Sequence, residues 1–360
     1  KYTTEVRRKI ETVLTNAFNG TSVDSAVQIS ESALARVHLV VRTPDGKRPR
    51  ISIASIEEQL AELVVTWSDR LRAELVDRFG PDAGEAYFKS YGRIFPAGYE
   101  EDTSPRAACN DIATIDDMLR EGIERSVDLY EAENLGPGDM RFIVYSLDTP
   151  IALSDALPLL EAMGTQVYTE HPYEATLDTG RAIWVQDFHL RHESDEQIDV
   201  EAVADRFEDC FMAVLTDEAE NDGLTRLIVG ADLDCREVTL LRCYAKHILQ
   251  LGLPLSQSYM EDVLVRHAEL TRNLVRQFQN QFDPDVPQTR RRRERSAILK
   301  KVQAGLRRAR NVDEDRILNA FAGGIEATLR SNFFLTEDGK PKNYISIKLD
   351  PAKLPEIPLP

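Results

Sequence analysis

The chain has 360 residues, of which 42% are hydrophobic and 29% charged, and its formal net charge is −17. This length is large for one hydrophobic core, so we expect two or three packed units. The sequence has no run of eighteen apolar residues and no basic-then-apolar start, which argues against a membrane span and a secretory signal. Its negative charge repels phosphate backbones, which disfavours nucleic acid as a main partner.

Cysteine usage indicates a reducing compartment. Cys109, Cys210, Cys235 and Cys243 are scattered without the tight spacing of a disulfide framework. Free thiols are typical of the cytoplasm, where disulfides are kept reduced. We therefore expect a cytoplasmic protein.

The first hundred residues predict a β-hairpin packed with a long helix. Two strand-like runs within residues 35–53 flank the sequence TPDG, in which Pro and Gly favour a turn. Ser55 is expected to cap the helix after them, where apolar residues recur at helical spacing up to Gly80. Pro96 should break any helix in the aromatic stretch that follows.

Residues 125–233 predict a second unit with a recognisable order of elements. The strand RFIVYSL is followed by a short helix, which Ser154 is expected to cap and Gly164 to end. Two strands, QVYTEHPYEA and RAIWVQDFHL, flank the hairpin turn DTG. A helix over 200–215 closes a βαββα order of the ferredoxin-like type, and SVDLYEAE is a candidate further strand.

Apolar periodicity predicts the buried faces of this unit. One side of the last strand should be covered, because it carries Ala182, Trp184, Phe188 and Leu190 at period two. One stripe of the following helix contains Ala202, Val203, Phe207, Phe211 and Val214. Such a stripe is typical of a helix that packs on a core.

From Asp234 onward the sequence predicts mainly helices. Asp234 is expected to cap the first helix, which Gly252 stops. Ser256 should open a second helix that ends at Asp283, so the two form an antiparallel hairpin. A basic helix follows from Arg290.

Two more elements are expected after the basic helix. Asn311 and Asp313 should start a helix over DEDRILNAFAGGIEATLRSNFF, with acidic residues in its first turn, where the helix dipole favours them. A strand comes last, because polar residues alternate with Ile345, Ile347 and Leu349. This strand needs a neighbouring strand and a covered face.

The sequence contains none of the standard phosphate cradles and no nucleophile elbow. The patterns G-x-G-x-x-G, G-x-x-x-x-G-K-[ST] and G-x-S-x-G are all absent. Gly136-Pro137-Gly138 and Gly323-Gly324 are too short to replace them. We interpret the first as a turn and the second as a close helix contact.

Histidine and cysteine pairs do not add up to a metal site. His189 with His192, and Cys243 with His247, each supply two ligands, whereas zinc normally needs three or four. We interpret both pairs as packing residues. His267 is interpreted as a hydrogen-bonded packing residue of its helix.

Carboxylates are too abundant to single out an acid–base pair. The clusters contain Glu100, Glu101, Asp102, Asp313, Glu314 and Asp315. We expect them to cap helices or to lie in solvent, because catalytic carboxylates are recognised by their environment. The sequence therefore predicts no catalytic, cofactor-binding or metal-binding residue in this chain.

One basic stretch stands out in the acidic chain. The sequence TRRRRERS at 289–296 is continued by Lys300, Lys301, Arg307, Arg308 and Arg310. It can meet phosphate or an acidic partner surface. The alternative is a solvated helix face or an interdomain contact.

Several longer stretches together resemble one enzyme family. They are FPAGYEEDTSPRAACNDI, PIALSDALPLLEAMGTQVYTEHPYE, WVQDFHLRH, AENDGLTRLIVGADLDCREVTLLRCYAKHILQLGLPLSQSYMEDVL, FDPD, DEDRILNAFAGGIEATLRSNFF and KNYISIKLDPAKLPEIPLP. In this order and spacing, from about Ala35 onward, they resemble landmarks of the large-subunit bacterial NAD-dependent glutamate dehydrogenases. The resemblance implies an internal segment whose catalytic residues lie beyond Pro360, so none is carried onto this sequence.

The resemblance also implies an α+β fold of ferredoxin-like, ACT-like βαββα units with a helical C-terminal part. We expect an α/β hairpin-plus-helix region at 1–100, an ACT-like domain at 101–233, a helical motif at 234–310 and the truncated start of the catalytic core at 311–360. The loop before the first ACT-like helix, residues 148–153, lacks the glycine common in effector-binding modules, which disfavours small-molecule binding there. Asn319 and Ser331 replace an expected Arg and Thr and look neutral.

The resemblance implies a regulatory and assembly role. The full-length protein would oxidise L-glutamate with NAD to 2-oxoglutarate and ammonia by hydride transfer, whereas this segment alone would be inactive and bind no cofactor. Expected partners are the catalytic domain of the same chain, further copies in a homo-oligomer and an amino-acid effector, but neither nucleic acid nor a membrane. The alternative is a stand-alone ACT-like amino-acid sensor without catalysis.

Overall fold

The computed structural model describes residues 4–29, 35–44, 51–131, 136, 138–192, 198–337 and 339–354. The chain divides into two compact units. The N-terminal unit contains Lys1–Arg120 and the short segment Ala175–Gly180, and the C-terminal unit contains Glu121–Glu174 and Arg181–Pro360.

The N-terminal unit is mainly helical and contains one two-stranded sheet. Its elements are α1 (Thr4–Ala17), β1 (Ser22–Ile29), β2 (Ala35–Arg42), α2 (Ile53–Val64), α3 (Trp67–Phe79), α4 (Pro81–Tyr91), α5 (Ala97–Asp102) and α6 (Pro105–Glu121). Strands β1 and β2 are antiparallel, with Ser22 opposite Arg42 and Ile29 opposite Ala35. Trp67, Phe95 and Tyr99 pack as an aromatic cluster, in which the Phe95 and Tyr99 ring centres are 4.1 Å apart.

The first strand of the hairpin predicted over residues 35–53 is β2, and the described end of its second strand, residues 51–53, is not a strand. β2 pairs with β1, and α2 begins at Ile53. Residues 45–50, which include part of the predicted turn, lie outside the described residues. The β1 sequence SVDSAVQI does alternate apolar and polar residues, and this signal could have identified the true partner.

The single long helix predicted up to Gly80 is two helices. Ser52, rather than Ser55, caps α2, and its hydroxyl accepts the Ser55 N–H. Thr66 is the N-cap of α3 and forms a reciprocal capping box with Asp69. A second helix therefore begins here, although the apolar spacing continues through this point of the sequence. Gly80 ends α3 with φ +84°, as predicted.

The C-terminal unit begins with an antiparallel sheet and continues as a helical array. Its elements are β3 (Arg125–Glu131), β4 (Asp139–Leu147), α7 (Leu153–Ala162), β5 (Thr165–Thr176), β6 (Ala182–His192), α8 (Val200–Leu215), α9 (Leu227–Gly230), α10 (Cys235–Gln250), α11 (Gln257–Arg266), α12 (Ala268–Phe282), α13 (Gln288–Leu306), α14 (Val312–Glu326), β7 (Thr328–Ser331), β8 (Thr336–Glu337), β9 (Lys340–Pro341) and β10 (Ile347–Leu349). The tip of the β5–β6 hairpin, residues 175–180, belongs to the N-terminal unit.

The four-stranded sheet has the ferredoxin-like order β3-β4-β6-β5. The predicted βαββα order is confirmed in β4, α7, β5, β6 and α8, and the candidate further strand is β3. β4 pairs antiparallel with both β3 and β6. The edge position beside β4 is thus filled by a strand that precedes it in the sequence.

The sheet and α8 share an apolar core. The Phe142 ring centre on β4 lies 5.4 Å from that of Phe207 and 4.8 Å from that of Phe211 on α8. Phe188 and Leu190 on β6 are buried in the same core, as their alternation predicts. The other side of the sheet is buried too, so the expectation of one covered side was incomplete; its buried residues include Ile143, Tyr145, Ile183 and Val185.

Two details of this domain differ from the sequence prediction. Ser154 does not cap α7, because the N-cap is Ala152, two residues earlier. Ala202 is exposed in the first turn of α8, where Asp199 caps the helix by accepting the Ala202 N–H at 3.1 Å. The other apolar residues of the predicted α8 stripe are buried.

The helical part follows the predicted caps but not all of the predicted lengths. Asp234 caps α10 and Ser256 caps α11. The predicted long second helix is interrupted at His267. At this break the Thr271 hydroxyl donates to the Leu264 carbonyl at 2.8 Å. In a continuous helix that carbonyl would accept a backbone N–H instead. Asn311 caps α14, which ends at Glu326, before the chain turns into β7.

The last strand has a neighbour inside the chain. β10 pairs antiparallel with β7, with Ile347 opposite Ser331. Ile345, Ile347 and Leu349 pack against the hydrophobic core, which confirms the predicted covered face. The neighbour lies in residues that the sequence pattern assigned to a helix.

Candidate functional site

Two places in the C-terminal unit can carry a regulatory function. The first, here called the effector loop, is residues 148–153 between β4 and α7, where the resemblance would place an effector although the sequence disfavours binding. The second, here called the joint, is where α10 and α12 contact the chain around β7 and β10.

Asp148 takes the backbone conformation that a glycine would take in the effector loop. Its φ is +65°, in the left-handed region that costs a non-glycine residue energy. Its carboxylate accepts from Arg181 Nη2 at 2.6 Å, and its N–H donates to the Ala182 carbonyl at 2.8 Å. The bond from Arg181 lowers the pKa of Asp148. The loop thus contains a left-handed backbone position that is occupied by a well-bonded aspartate.

A buried glutamine fills the effector loop from inside. Gln186 on β6 is 2% exposed, and its side-chain oxygen accepts the Ile151 N–H at 2.8 Å. Its amide nitrogen donates to the Ile151 carbonyl at 3.0 Å and to Glu170 at 3.2 Å. Both backbone groups of Ile151 are thus satisfied by the protein and are not available to a ligand.

The joint is built around one arginine. Arg236, in the first turn of α10, donates Nε and Nη2 to the Phe333 carbonyl at 2.9 and 2.7 Å, and Nη1 to the Lys342 carbonyl at 2.7 Å. Its guanidinium carbon lies 5.0 Å from the Phe333 ring centre, a cation–π distance. Burial lowers the pKa of Arg236. One side chain thereby fastens two points of the chain after α14 to α10.

Further bonds tie the same region to α10 and α12. The Tyr244 hydroxyl lies 2.7 Å from the Thr328 hydroxyl, and the Gln281 amide donates to the Thr328 carbonyl at 3.1 Å. Glu237 accepts the Asp234 N–H at 2.9 Å and a bond from the Gln279 amide. Burial is the main cause that raises the pKa of Glu237 to about 7.

Two buried ion pairs brace the helices behind the joint. Arg242, whose side chain is 4% exposed, forms a bidentate ion pair with Asp222, to which it donates Nε at 2.6 Å and Nη2 at 2.9 Å. Glu314 is bonded by Arg266 and by His267, whose Nε2 lies 3.1 Å from it. Burial pushes the pKa of Glu314 upward, but bonds from the Arg310 N–H, His267 and Arg266 outweigh it and hold the pKa at about 2.

Glu314 and His267 test the interpretations made from the sequence. His267 is a buried, hydrogen-bonded packing residue, as interpreted. The expectation that Glu314 caps a helix or lies in solvent was wrong, because its side chain is 1% exposed and belongs to a buried network. Its neighbours Asp313 and Asp315, and Glu101 and Asp102 of α5, are exposed, whereas Glu100 is half-buried.

The other candidate pairs and glycines have structural surroundings. Burial raises the pKa of Cys243 and lowers that of His247, while His189 Nε2 lies 3.5 Å from Asp139. In the part of the chain that the structure describes, no three His, Cys, Asp or Glu side chains converge as metal ligands. Gly324 faces the Tyr244 ring, where an added Cβ would lie at 3.2 Å, so it is the close helix contact expected.

The basic stretch lies on α13 and the turn after it. Most of its cations are exposed, but Arg291 donates to the Asp283 carbonyl at 2.6 Å and Arg290 pairs with Glu294 at 2.9 Å. The helix therefore has one face against α12 and one face in solvent. Among the described residues, no helix is long and apolar enough to cross a membrane.

Five family models match successive parts of the chain. They describe a glutamate dehydrogenase ACT2 domain at residues 1–68, helical motif 2 at 74–118, ACT3 domain at 124–203 and helical motif 3 at 219–284, followed by the catalytic domain of bacterial NAD-glutamate dehydrogenase at 301–360. The chain belongs to the bacterial NAD-dependent glutamate dehydrogenases. Its effector loop lies in the region that matches the ACT3 domain, and its joint connects helical motif 3 with the start of the catalytic domain.

Curated relatives agree with this assignment. The chain is 33% identical to the NAD-specific glutamate dehydrogenase of Halomonas elongata, 32% to that of Pseudomonas aeruginosa and 31% to that of Mycobacterium tuberculosis, each over its whole length. It covers 22%, 22% and 23% of these proteins. The chain is thus a segment of a larger glutamate dehydrogenase that also has a catalytic domain.

Proposed function

We propose that the full-length protein oxidises L-glutamate with NAD to 2-oxoglutarate and ammonia, and that this segment holds the catalytic domain in place. The joint is the observation that carries the second half of the proposal. Helical motif 3 and the first part of the catalytic domain share one hydrophobic core. Arg236 and Tyr244 bond directly to that first part. A movement of α10 is therefore transmitted to the strands from which the catalytic domain continues.

The residues present do not fit the chemistry of NAD binding. NAD would supply the hydride acceptor in the full-length protein. This sequence contains no dinucleotide-binding motif, so we assign no residue of it to the cofactor and no catalytic step to it.

The proposal is tested by measuring NADH formation from glutamate and NAD. The full-length protein is expected to form NADH, and the 360-residue segment is expected to form none at the same concentration. NADH formation by the segment, or its absence with a folded full-length protein, would contradict the proposal. Full-length protein that has lost activity only through unfolding is recognised by its circular dichroism spectrum.

Assembly and location are further parts of the proposal. We propose a cytoplasmic homo-oligomer; the cysteine usage supports the cytoplasmic location. The division at residues 100, 233 and 310 stays a prediction, to be tested by limited proteolysis. Cleavage inside α10 or β4 before cleavage near these boundaries would argue against it.

The second candidate function is an ACT-like amino-acid sensor without catalysis. The ferredoxin-like sheet favours it, but the effector loop disfavours it, because Gln186 already occupies the Ile151 backbone groups. Calorimetric titration with the twenty amino acids separates the two. Tight binding to the effector loop favours the sensor, and no binding favours the scaffold.

A further inference from the structure

A cavity of about 580 Å³ lies between α12 and α13. This volume is typical of sites for small molecules. On α12 its lining residues Asn273, Arg276 and Asn280 are spaced three and four residues apart, so they share the face that looks toward α13. Ile298 contributes an apolar wall from α13. A polar stripe thus lies where two packed helices usually bury apolar side chains.

Asn280 lines this cavity and carries a buried hydrogen-bond donor without a partner among the described residues. The residue is 8% exposed. Asn273, 5% exposed, is held by a bond from its own amide to the Glu269 carbonyl at 2.8 Å. A buried donor without a partner is unfavourable unless a water molecule or a ligand accepts from it.

Two cations reach the same cavity from opposite helices. Arg276 of α12 and Lys301 of α13 both line it, and neither forms an ion pair with another described residue. Arg290 pairs with Glu294 at 2.9 Å, and Asp283, which accepts the Asp285 N–H at 2.9 Å, keeps its negative charge. The wall therefore carries three cations and two carboxylates, a net excess of one positive charge, and its two unpaired cations are exposed.

The positive region extends beyond this cavity. A neighbouring cavity of about 290 Å³ is also lined by Asn273 and Lys301, and in addition by Arg308 and Arg310. Arg308 forms an ion pair with Glu269 at 2.9 Å. Lys301 therefore remains the cation without an ion pair that lines both cavities. These charges lie in a chain whose net charge is −17, which makes the local sign unusual.

We propose that the cavity between α12 and α13 binds a small anion that carries a phosphate group. Phosphate oxygens accept hydrogen bonds only, which matches the Asn280 amide, and they combine well with an Arg fork and a Lys point charge. The phosphate is either free orthophosphate or part of a small phosphomonoester. Because Gln279 lines the cavity and also bonds Glu237 at the joint, the bound anion lies one side chain away from the joint.

Isothermal titration calorimetry of the full-length protein with orthophosphate and with glycerol 3-phosphate tests this site. The titrations contain neither glutamate nor NAD, so their outcome does not depend on the proposed catalytic function. We expect saturable binding of at least one probe. Tighter binding of glycerol 3-phosphate supports a phosphomonoester, and equal or weaker binding supports free phosphate.

Matched variants distinguish this site from general attraction to basic residues. Arg276→Met with Lys301→Met should raise the Kd at least tenfold. Arg292→Met with Lys300→Met removes the same charge from exposed positions of α13 outside this cavity, and its Kd should stay within twofold of the wild type. Equal weakening in both double variants would overturn the proposal.

Asn280→Asp is the second variant, because it keeps the size of the side chain and places an anionic oxygen in the cavity. It should raise the Kd at least tenfold while the circular dichroism spectrum stays that of the wild type. Unchanged binding by this variant, or no saturable binding of either probe by the wild-type protein, would show that the cavity holds only water.

Discussion

The ACT-like domain and the helical part of the C-terminal unit are stabilised in different ways. In the ACT-like domain the core is apolar, with Phe142, Phe207 and Phe211 in contact, and a neutral glutamine closes its loop. The helical part has an apolar core as well, and charged groups such as the buried Arg242 and the half-buried Arg236 add bonds between its elements. Apolar packing tolerates small movements, whereas a bidentate ion pair fixes one geometry. The additional charged bonds agree with the proposal that the helical part holds the catalytic domain in place.

The largest predicted effect concerns the buried pair in the helical part. Arg242→Met should lower the free energy of opening of α10 by about 3 kcal/mol, because Asp222, whose side chain is only 14% exposed, is left without its cation. Hydrogen exchange of α10 amides in the full-length protein measures this.

Lys246→Met is the matched control for Arg242. Lys246 forms an exposed ion pair with Glu220 one turn further along α10, so its loss should cost less than about 1 kcal/mol. The double variant Asp222→Leu with Arg242→Met should recover much of the loss. Equal effects of Arg242→Met and Lys246→Met would remove the contrast between the two parts.

The next effect concerns the effector loop of the ACT-like domain. Gln186→Ala should lower the opening free energy of β6 by about 1–3 kcal/mol, because both backbone groups of Ile151 lose their partner. Gln166→Ala, an exposed glutamine on β5, should have little effect. Amino-acid binding that appears only in Gln186→Ala would show that the glutamine occupies a ligand position.

The helical part should also respond to acid through Glu314. Its pKa in the folded protein is about 2, below the ordinary value of 4.5, so its ionised form stabilises the fold above pH 4.5, and this stabilisation is lost as the pH falls toward 2. Hydrogen exchange of α11, α12 and α14 should show decreasing protection over this interval. Glu314→Gln should make the dependence flatter.

Asp315→Asn is the control for the acid response. Asp315 is exposed in the same first turn of α14, so the pH dependence should stay as in the wild type. If both variants showed the wild-type dependence, the buried network around Glu314 would not be the cause.

The smallest effect is expected at Asp148. Asp148→Gly relieves a φ of +65° but loses an exposed ion pair with Arg181, and these changes oppose each other. The opening free energy of β4 should change by less than about 1 kcal/mol, measured by hydrogen exchange. Arg181→Ala, which removes only the ion pair, should be slightly less stable than Asp148→Gly.

The same contrast explains which features the sequence could predict. Alternation in β6 and the apolar stripe of α8 show in the sequence because they are local and periodic, and so do the caps at Asp234 and Asn311. The Asp222–Arg242 pair has no such signal, because its members are twenty residues apart on different elements. The break at His267 depends on the Thr271 hydroxyl, and β7 depends on a partner strand that lies beyond it in the chain.

The site residues show the same limit. The absence of a glycine in the effector loop was visible in the sequence, but Gln186, which closes the loop, lies 35 residues after Ile151 in a strand with ordinary alternation. Arg236 follows a capping aspartate and resembles any polar residue of a helix start. Only the fold brings its side chain to the carbonyls of Phe333 and Lys342.

Comparison of Arg236→Ala with Arg236→Lys in the full-length protein, by hydrogen exchange of β7 and β10 together with kcat, tests the central claim most directly. The account predicts that Arg236→Ala loses protection in both strands and has a lower kcat, while Arg236→Lys, which keeps a charge and one or two of the carbonyl bonds, lies between it and the wild type. Wild-type protection and wild-type kcat in Arg236→Ala would contradict the claim that this segment holds the catalytic domain through the joint.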